Sequence, residues 1–126
     1  MQNTLWYLST CTTCKRLLAQ LPTQHGLQLQ DIKHEPMSAA QLDFLKDIAG
    51  SYEALFSKRS RKYREMGLHE KTLTEAEIRS LILSEYTFLK RPVAYIEGEV
   101  FAGNAPKTLE ALVARVRTLV EMNSYK

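Results

Sequence analysis

The sequence predicts an α/β fold: a four-stranded mixed sheet with a helical insertion between a βαβ unit and a C-terminal ββα unit. Three observations lead there. A strand-like run at Thr4–Leu8, a helical pattern and a second strand-like run at Leu27–Ile32 fill the first 32 residues, which makes a βαβ unit with two parallel strands and a crossover helix. Near the other end, Val93–Ile96 and Glu99–Ala102 flank the turn pair Glu97-Gly98 and precede a long helical pattern, a hairpin followed by a helix. Between the two units, residues of about 37–90 read as helices in short pieces. At 126 residues the chain makes one domain, 1–126, large enough to bury a core without disulfide staples.

The first helix carries Leu17, Leu18 and Leu21 on one face and stops at Pro22. Thr23 to Gly26 turn the chain, and Leu27-Gln28-Leu29-Gln30-Asp31-Ile32 alternates in part. Pro36 ends that extended stretch. Ser38 with Gln41 is a capping box for a helix bearing Leu42, Leu45, Ile48 and Ala49, closed by Gly50. Tyr52–Phe56 is brief and apolar, and Lys58–Leu68 reads as a basic helix that ends at Gly67. A second capping box, Thr74 with Glu77, opens a helix with Ile78, Leu81 and Ile82 inward. These apolar stripes need something to cover, so the block belongs to the same domain. The last helix starts near Asn104 or Ala105 with Pro106 in its first turn, and Leu109, Leu112, Val113, Val116 and Val120 face the sheet. The tail from Met122 to Lys126 is expected to fray.

Both cysteines lie in Ser9-Thr10-Cys11-Thr12-Thr13-Cys14-Lys15-Arg16. The first strand and first helix place Cys11 at the turn between them, where free N–H groups and the helix dipole favour an anion. A thiolate is such an anion, and it is the reactive form of cysteine. Cys14 follows one helical turn later, close enough to displace a group bound to Cys11. A structural zinc site would need two more ligands, but His25, His34 and His69 show no paired spacing. Two inert core cysteines are the other reading. Trp6 and Tyr7 are read as core and rim packing.

Apolar residues at 44% and charged residues at 25% are ordinary for a globular protein. No apolar run is long enough for a membrane span, and Met1–Leu8 lacks the basic start and long apolar run of a signal peptide. The expected compartment is the reducing cytoplasm, with no membrane partner. There a Cys-x-x-Cys pair is more often catalytic or sensing than structural. A net charge of +3 is too small to argue for direct nucleic-acid binding. Lys58, Arg59, Arg61, Lys62 and Arg64 form a local basic run, read either as a solvated face, as a rim that binds anions near the thiol, or as a docking surface for an acidic protein.

Taken together, the Cys-x-x-Cys turn, the helical insert and the Pro-hairpin-helix ending resemble the thioredoxin and glutaredoxin-like fold. The early "YxxxCxxCKR", the "FSKRSRKYREMGL" and "LKRPVAYIEGEVFAGN" segments, and the length, narrow this to a resemblance to glutaredoxin-type arsenate reductases and Spx-like regulators. That resemblance implies a nucleophilic role for Cys11, an anion-binding role for Arg91 and a cis bond before Pro92 beside the thiol. It also implies Thr12, Thr13, Arg59 and Pro92 as substrate-binding residues. The best-studied arsenate reductases have no second cysteine three residues on, and two of their arginines align with Ser57 and Gly103. Cys14, Arg59 and Gly103-Asn104 are similar to the Spx-like branch, in which the cysteine pair is a redox switch and the protein contacts RNA polymerase.

Two functional expectations stand side by side, with an inert-thiol scaffold as the third. In the enzyme reading, Cys11 attacks a small oxyanion or a thiol-derived disulfide, Arg91 offsets charge, and Cys14, glutathione or glutaredoxin resolves the adduct. No metal or organic cofactor enters this chemistry. In the regulator reading, the Cys11–Cys14 disulfide alters a surface that meets RNA polymerase.

Overall fold

The computed structural model describes residues 1–124, and the tail residues Tyr125 and Lys126 lie outside the described part. Strand β1 (Thr4–Tyr7) is followed by helix α1 (Thr12–Gln20) and strand β2 (Gln28–Asp31). The insertion holds α2 (Ala39–Ala49), α3 (Arg61–Glu65) and α4 (Glu75–Ser84), joined by single 3₁₀ turns at Glu53–Leu55, Leu68–Glu70 and Tyr86–Phe88. Hairpin β3 (Val93–Ile96) and β4 (Glu99–Ala102) and helix α5 (Pro106–Ser124) complete the fold. The sheet order is β2-β1-β3-β4, with β1 parallel to β2 and antiparallel to β3. It is the mixed four-stranded sheet that the periodicity predicts.

Side chains alternate across the pleat, so β1 and β3 feed two cores. Trp6 and Val93 point to the face covered by the insertion, where they meet Leu42, Leu45, Ile78, Ile82 and Phe88. Leu5, Ala94 and Ile96 point to the other face and pack with Leu17 of α1 and Leu112, Val113 and Val116 of α5. Both faces of the central strands are therefore covered, which explains why Thr4-Leu5-Trp6 is buried without a break. Trp6 packs fully, although its Nε1–H has no hydrogen-bond partner.

Local signals set most boundaries. Ser38 and Gln41 form a reciprocal capping box at α2, and Thr74 and Glu77 form another at α4. Gly50 ends α2 at φ 99°, a left-handed value that glycine adopts without penalty. In the hairpin turn, Glu97 (φ 46°) and Gly98 (φ 88°) are both left-handed, the geometry of a type I′ turn.

Three expectations are corrected. Ile48 is 41% exposed and lies outside the core. In β2, Leu29 is 43% exposed. Gln30 takes the inward place instead, because its amide pairs reciprocally with that of Gln41 at 2.9 and 3.2 Å. The basic segment is not one helix from Lys58 to Leu68: Ser60 caps a helix of only five residues, and Gly67 at φ 68° stops it. The C-terminal helix runs on through Ser124, where fraying from Met122 was expected.

The insertion is tied down by charge and backbone. The Arg79 guanidinium grips the Asp43 carboxylate with two bonds of 2.8 and 3.1 Å, and Tyr52 donates to the same carboxylate at 2.6 Å. Glu75 accepts the N–H groups of Tyr52 and Glu53, capping the 3₁₀ turn from α4. An isolated antiparallel bridge joins Phe56 to Leu89. Through it, Ser57 N–H donates to the Phe88 carbonyl at 2.7 Å and Lys90 N–H to the Leu55 carbonyl at 2.9 Å. The stretch 57–88 within the insertion thus leaves and returns side by side. No helix among the described residues is long and apolar enough to cross a membrane.

Candidate active site

β1 ends at Tyr7, and Cys11 becomes the N-cap of α1 with extended backbone (φ −87°, ψ 120°). Cys11 N–H donates to the Leu8 carbonyl at 3.0 Å and its own carbonyl accepts from Lys15 N–H at 3.1 Å, so the turn is closed from both sides. The thiol is half-buried. It makes no full capping hydrogen bond, yet the amide N–H groups of Cys14 and Thr13 are directed toward it.

The two thiols have opposite environments. Partial burial pushes Cys11 up, but the Cys14 amide and thiol, the Thr13 amide and the Arg91 guanidinium outweigh it and hold Cys11 below the usual thiol range. Cys14 is buried between α1 and the core. Burial first, and then the neighbouring Cys11 charge, push its thiol up to about 11. No disulfide joins the two cysteines in this structure. Of the two, Cys11 is the thiol whose ionised form is favoured, and Cys14, hydrogen-bonded to it, is the one held protonated.

The antiparallel register sets Trp6 opposite Val93, so the residues just before β3 lie at the same end of the sheet as the residues just after β1. Arg91-Pro92 enters β3 there through a cis peptide bond, as the resemblance implies. Pro92 is buried and Arg91 half-buried. Thr12 is exposed and Thr13 half-buried on the first turn of α1. Asp31 reaches the same end from β2, where the Ser9 hydroxyl holds its carboxyl below the usual range. Sequence reasoning passed over Asp31, although its place at the carboxyl end of a strand beside β1 was available as a signal.

Arg91 also lines an open cleft of about 440 Å³. Lys58, Arg59 and Lys90 line it too, against a single carboxylate, Glu53, which lies 3.8 Å from the Lys58 ammonium. Ala102-Gly103-Asn104-Ala105 complete its lining. Cys11 and the cleft are neighbours that share Arg91, and Cys11 itself is not in the cleft wall. The structure therefore brings Cys11, Cys14, Arg91 and Pro92 together at one sheet end and sets Arg59 in the lining of the adjoining cleft. Lys58, already offered by the basic run, lines the cleft too, and Lys90 and Asn104 are further members; the adjacency of Lys90 to Arg91 is the signal that could have found that lysine. Ser57 and Gly103 line the cleft as well. Among the described residues, no group of three or more His, Cys, Asp or Glu side chains is placed to hold a metal ion.

A β2-β1-β3-β4 mixed sheet, a strand–Cys–helix turn and a cis-proline entering β3 beside it define a thioredoxin-like protein. The sequence profile of the ArsC family matches residues 6–112, and the chain belongs to that family. Solved structures agree on the fold. An ArsC-family-related protein from Bacteroides fragilis superposes with a TM-score of 0.74 at 23% identity, covering 89% of this chain and 98% of that one. An arsenate reductase from Vibrio cholerae gives 0.72 at 19% identity, covering 88% and 97%. An arsenate-reductase-related protein from Brucella melitensis gives 0.65 at 26% identity, covering 88% and 93%. No curated protein shows significant sequence similarity to the chain.

Proposed function

We propose that the protein is a thiol-dependent reductase of the arsenate-reductase-like type, with Cys11 as nucleophile and Cys14 as resolving thiol. One observation carries this reading: two thiols one helical turn apart are split in acidity, Cys11 downward and Cys14 up to about 11. The half-buried member is thus poised to attack and the buried member to wait as a thiol. Arg91 supports the assignment, because its charge favours the Cys11 thiolate and its guanidinium lines the adjoining cleft.

With a disulfide substrate, the Cys11 thiolate forms a mixed disulfide and expels one thiolate. Cys14 then loses its proton and attacks the Cys11 sulfur, which releases the second thiolate and leaves the Cys11–Cys14 disulfide. With arsenate, Cys11 displaces water to form an S–As bond. Attack of Cys14 on the Cys11 sulfur leaves that bond's electron pair on arsenic, so arsenite departs and the same disulfide remains. In both cases the two thiols supply the two electrons. A dithiol or two molecules of a monothiol, glutaredoxin or glutathione by class, restore them. The test is turnover of arsenate and of glutathione mixed disulfides with glutathione and glutaredoxin present, in wild type, Cys11→Ser and Cys14→Ser. Activity that survives Cys11→Ser refutes the assignment.

A second reading is favoured by one observation. Ser57 and Gly103, which the resemblance sets at arginine positions of the best-studied arsenate reductases, both line the cleft, so those positions hold no guanidinium for an oxyanion. This suits a Spx-like regulator whose disulfide governs contact with RNA polymerase. Absence of turnover on every oxyanion and disulfide tried, together with redox-dependent retention of RNA polymerase, decides for the regulator.

A further inference from the structure

We propose that Asn104 is a positioning residue: it holds the Arg59 guanidinium in the cleft that Arg91 also lines, so that the two arginines bind one anion next to the Cys11 site. The inference rests on the reading of Cys11 and Arg91 as an anion-handling thiol site. It concerns a residue outside that pair.

Arg59 stands in the short loop between the Phe56–Leu89 bridge and Ser60, the cap of α3. It is exposed, and a long side chain in such a loop samples many rotamers unless something holds it. The Asn104 side-chain carbonyl accepts from Arg59 Nη1 at 3.1 Å, across 45 residues of sequence. Asn104 is itself fixed by the residue before it. Gly103 N–H donates to the Pro92 carbonyl at 2.9 Å, with Gly103 at φ 97°, a left-handed conformation that favours glycine. The tie therefore runs from Arg59 through Asn104 and Gly103 to the residue that follows Arg91.

The chemistry of the acceptor matters as much as its place. Two other basic side chains are held by carboxylates: Arg79 by two oxygens of Asp43, and Lys62 by Glu85 at 2.6 Å. Those cations are neutralised by their partners. Arg59 is held by a neutral amide, which orients the guanidinium through one of its five N–H donors and leaves its charge for a ligand. An aspartate in the same place would orient the group and cancel it.

The probe is inorganic sulfate, which cannot react with the thiol, at constant ionic strength. The readout is the sulfate concentration that half-protects Cys11 from iodoacetamide, followed on the Cys11 peptide. Asn104→Ala and Arg59→Ala should each raise it about two- to tenfold, the range for losing the immobilisation of one long side chain or its contact. The double variant should be no worse than Arg59→Ala alone, because Asn104 acts only through Arg59. Asn104→Asp, which keeps an acceptor of the same shape, should weaken protection at least as much as the alanine. The pH midpoint of Cys11 alkylation should stay at the wild-type value in all of these and move only in Arg91→Ala. Additive losses in the double variant, full protection in Asn104→Asp, or a shifted midpoint in Asn104→Ala overturns the proposal. Wild-type protein that sulfate does not protect overturns the anion-site reading and this proposal with it. Protection that depends on Arg91 and Arg59 but not on Asn104 removes this proposal alone.

Discussion

Selective alkylation of Cys11 at neutral pH should expose the split between the thiols directly. At pH 7 a thiol that titrates at about 11 is thiolate in about one molecule in ten thousand. A thiol held below the ordinary value of 9.0 is thiolate in more than about one in a hundred. The ratio of reactive forms is therefore at least about a hundredfold in favour of Cys11. Basicity works the other way, since a less basic thiolate is a weaker nucleophile by about half a decade per pKa unit, or about tenfold over two units. The net preference is at least about tenfold before the burial of Cys14 slows its reaction further. The assay is timed iodoacetamide treatment of reduced protein across pH 5–10, with the two sites separated by peptide mass spectrometry. Equal rates at pH 7, or a Cys11 midpoint at or above that of an unperturbed thiol, would refute the assignment of roles.

Three other outcomes follow from the same geometry. Arg91→Ala should raise the Cys11 midpoint and lower turnover by one to two decades, the equivalent of about 1.5–3 kcal/mol for one charge-assisted contact, and Arg91→Lys should restore part of the midpoint but little of the turnover. Mild oxidation should remove two hydrogens from the monomer's mass as Cys11 and Cys14 join, while intermolecular dimers alone would remove Cys14 from the mechanism. Asp43, held down to about 2 by Arg79 and Tyr52, adds stability that is complete above its unfolded pKa near 3.8 and is lost as pH falls toward 2. Thermal melting of wild type should therefore drop between about pH 4 and pH 2 more steeply than that of Asp43→Asn, and parallel curves would show that the pairing is not felt.

Much of this architecture is legible in the sequence because its signals are short-range. Ser38 with Gln41, Thr74 with Glu77, Gly50 and Glu97-Gly98 each act within four residues, and each sits where the pattern puts it. What escaped depends on partners far along the chain. Gln30 looks like an outward residue until Gln41 arrives from α2 to satisfy its amide. The basic segment reads as one helix because propensity cannot reveal that Ser60 is engaged by Thr87 at 2.8 Å and starts the helix late. The thiol turn is local and readable, whereas the cleft beside it is assembled from the insertion, the entry to β3 and the loop after β4. Its charge pattern appears only once the Phe56–Leu89 bridge brings residues 57–59 next to 90–91.

That bridge divides the molecule's capacity for change. The thiols belong to the βαβ unit, while Lys58 and Arg59 hang from a stretch that departs and returns through a single pair of residues. Substitutions between Ser57 and Phe88 can redraw the charge and width of the cleft while the strand–Cys–helix turn stays as it is. Reactivity and selectivity are thus inherited on separate pieces of chain. A lineage could exchange a small oxyanion for a bulkier disulfide, or for the acidic face of another protein, by rewriting one and leaving the other alone.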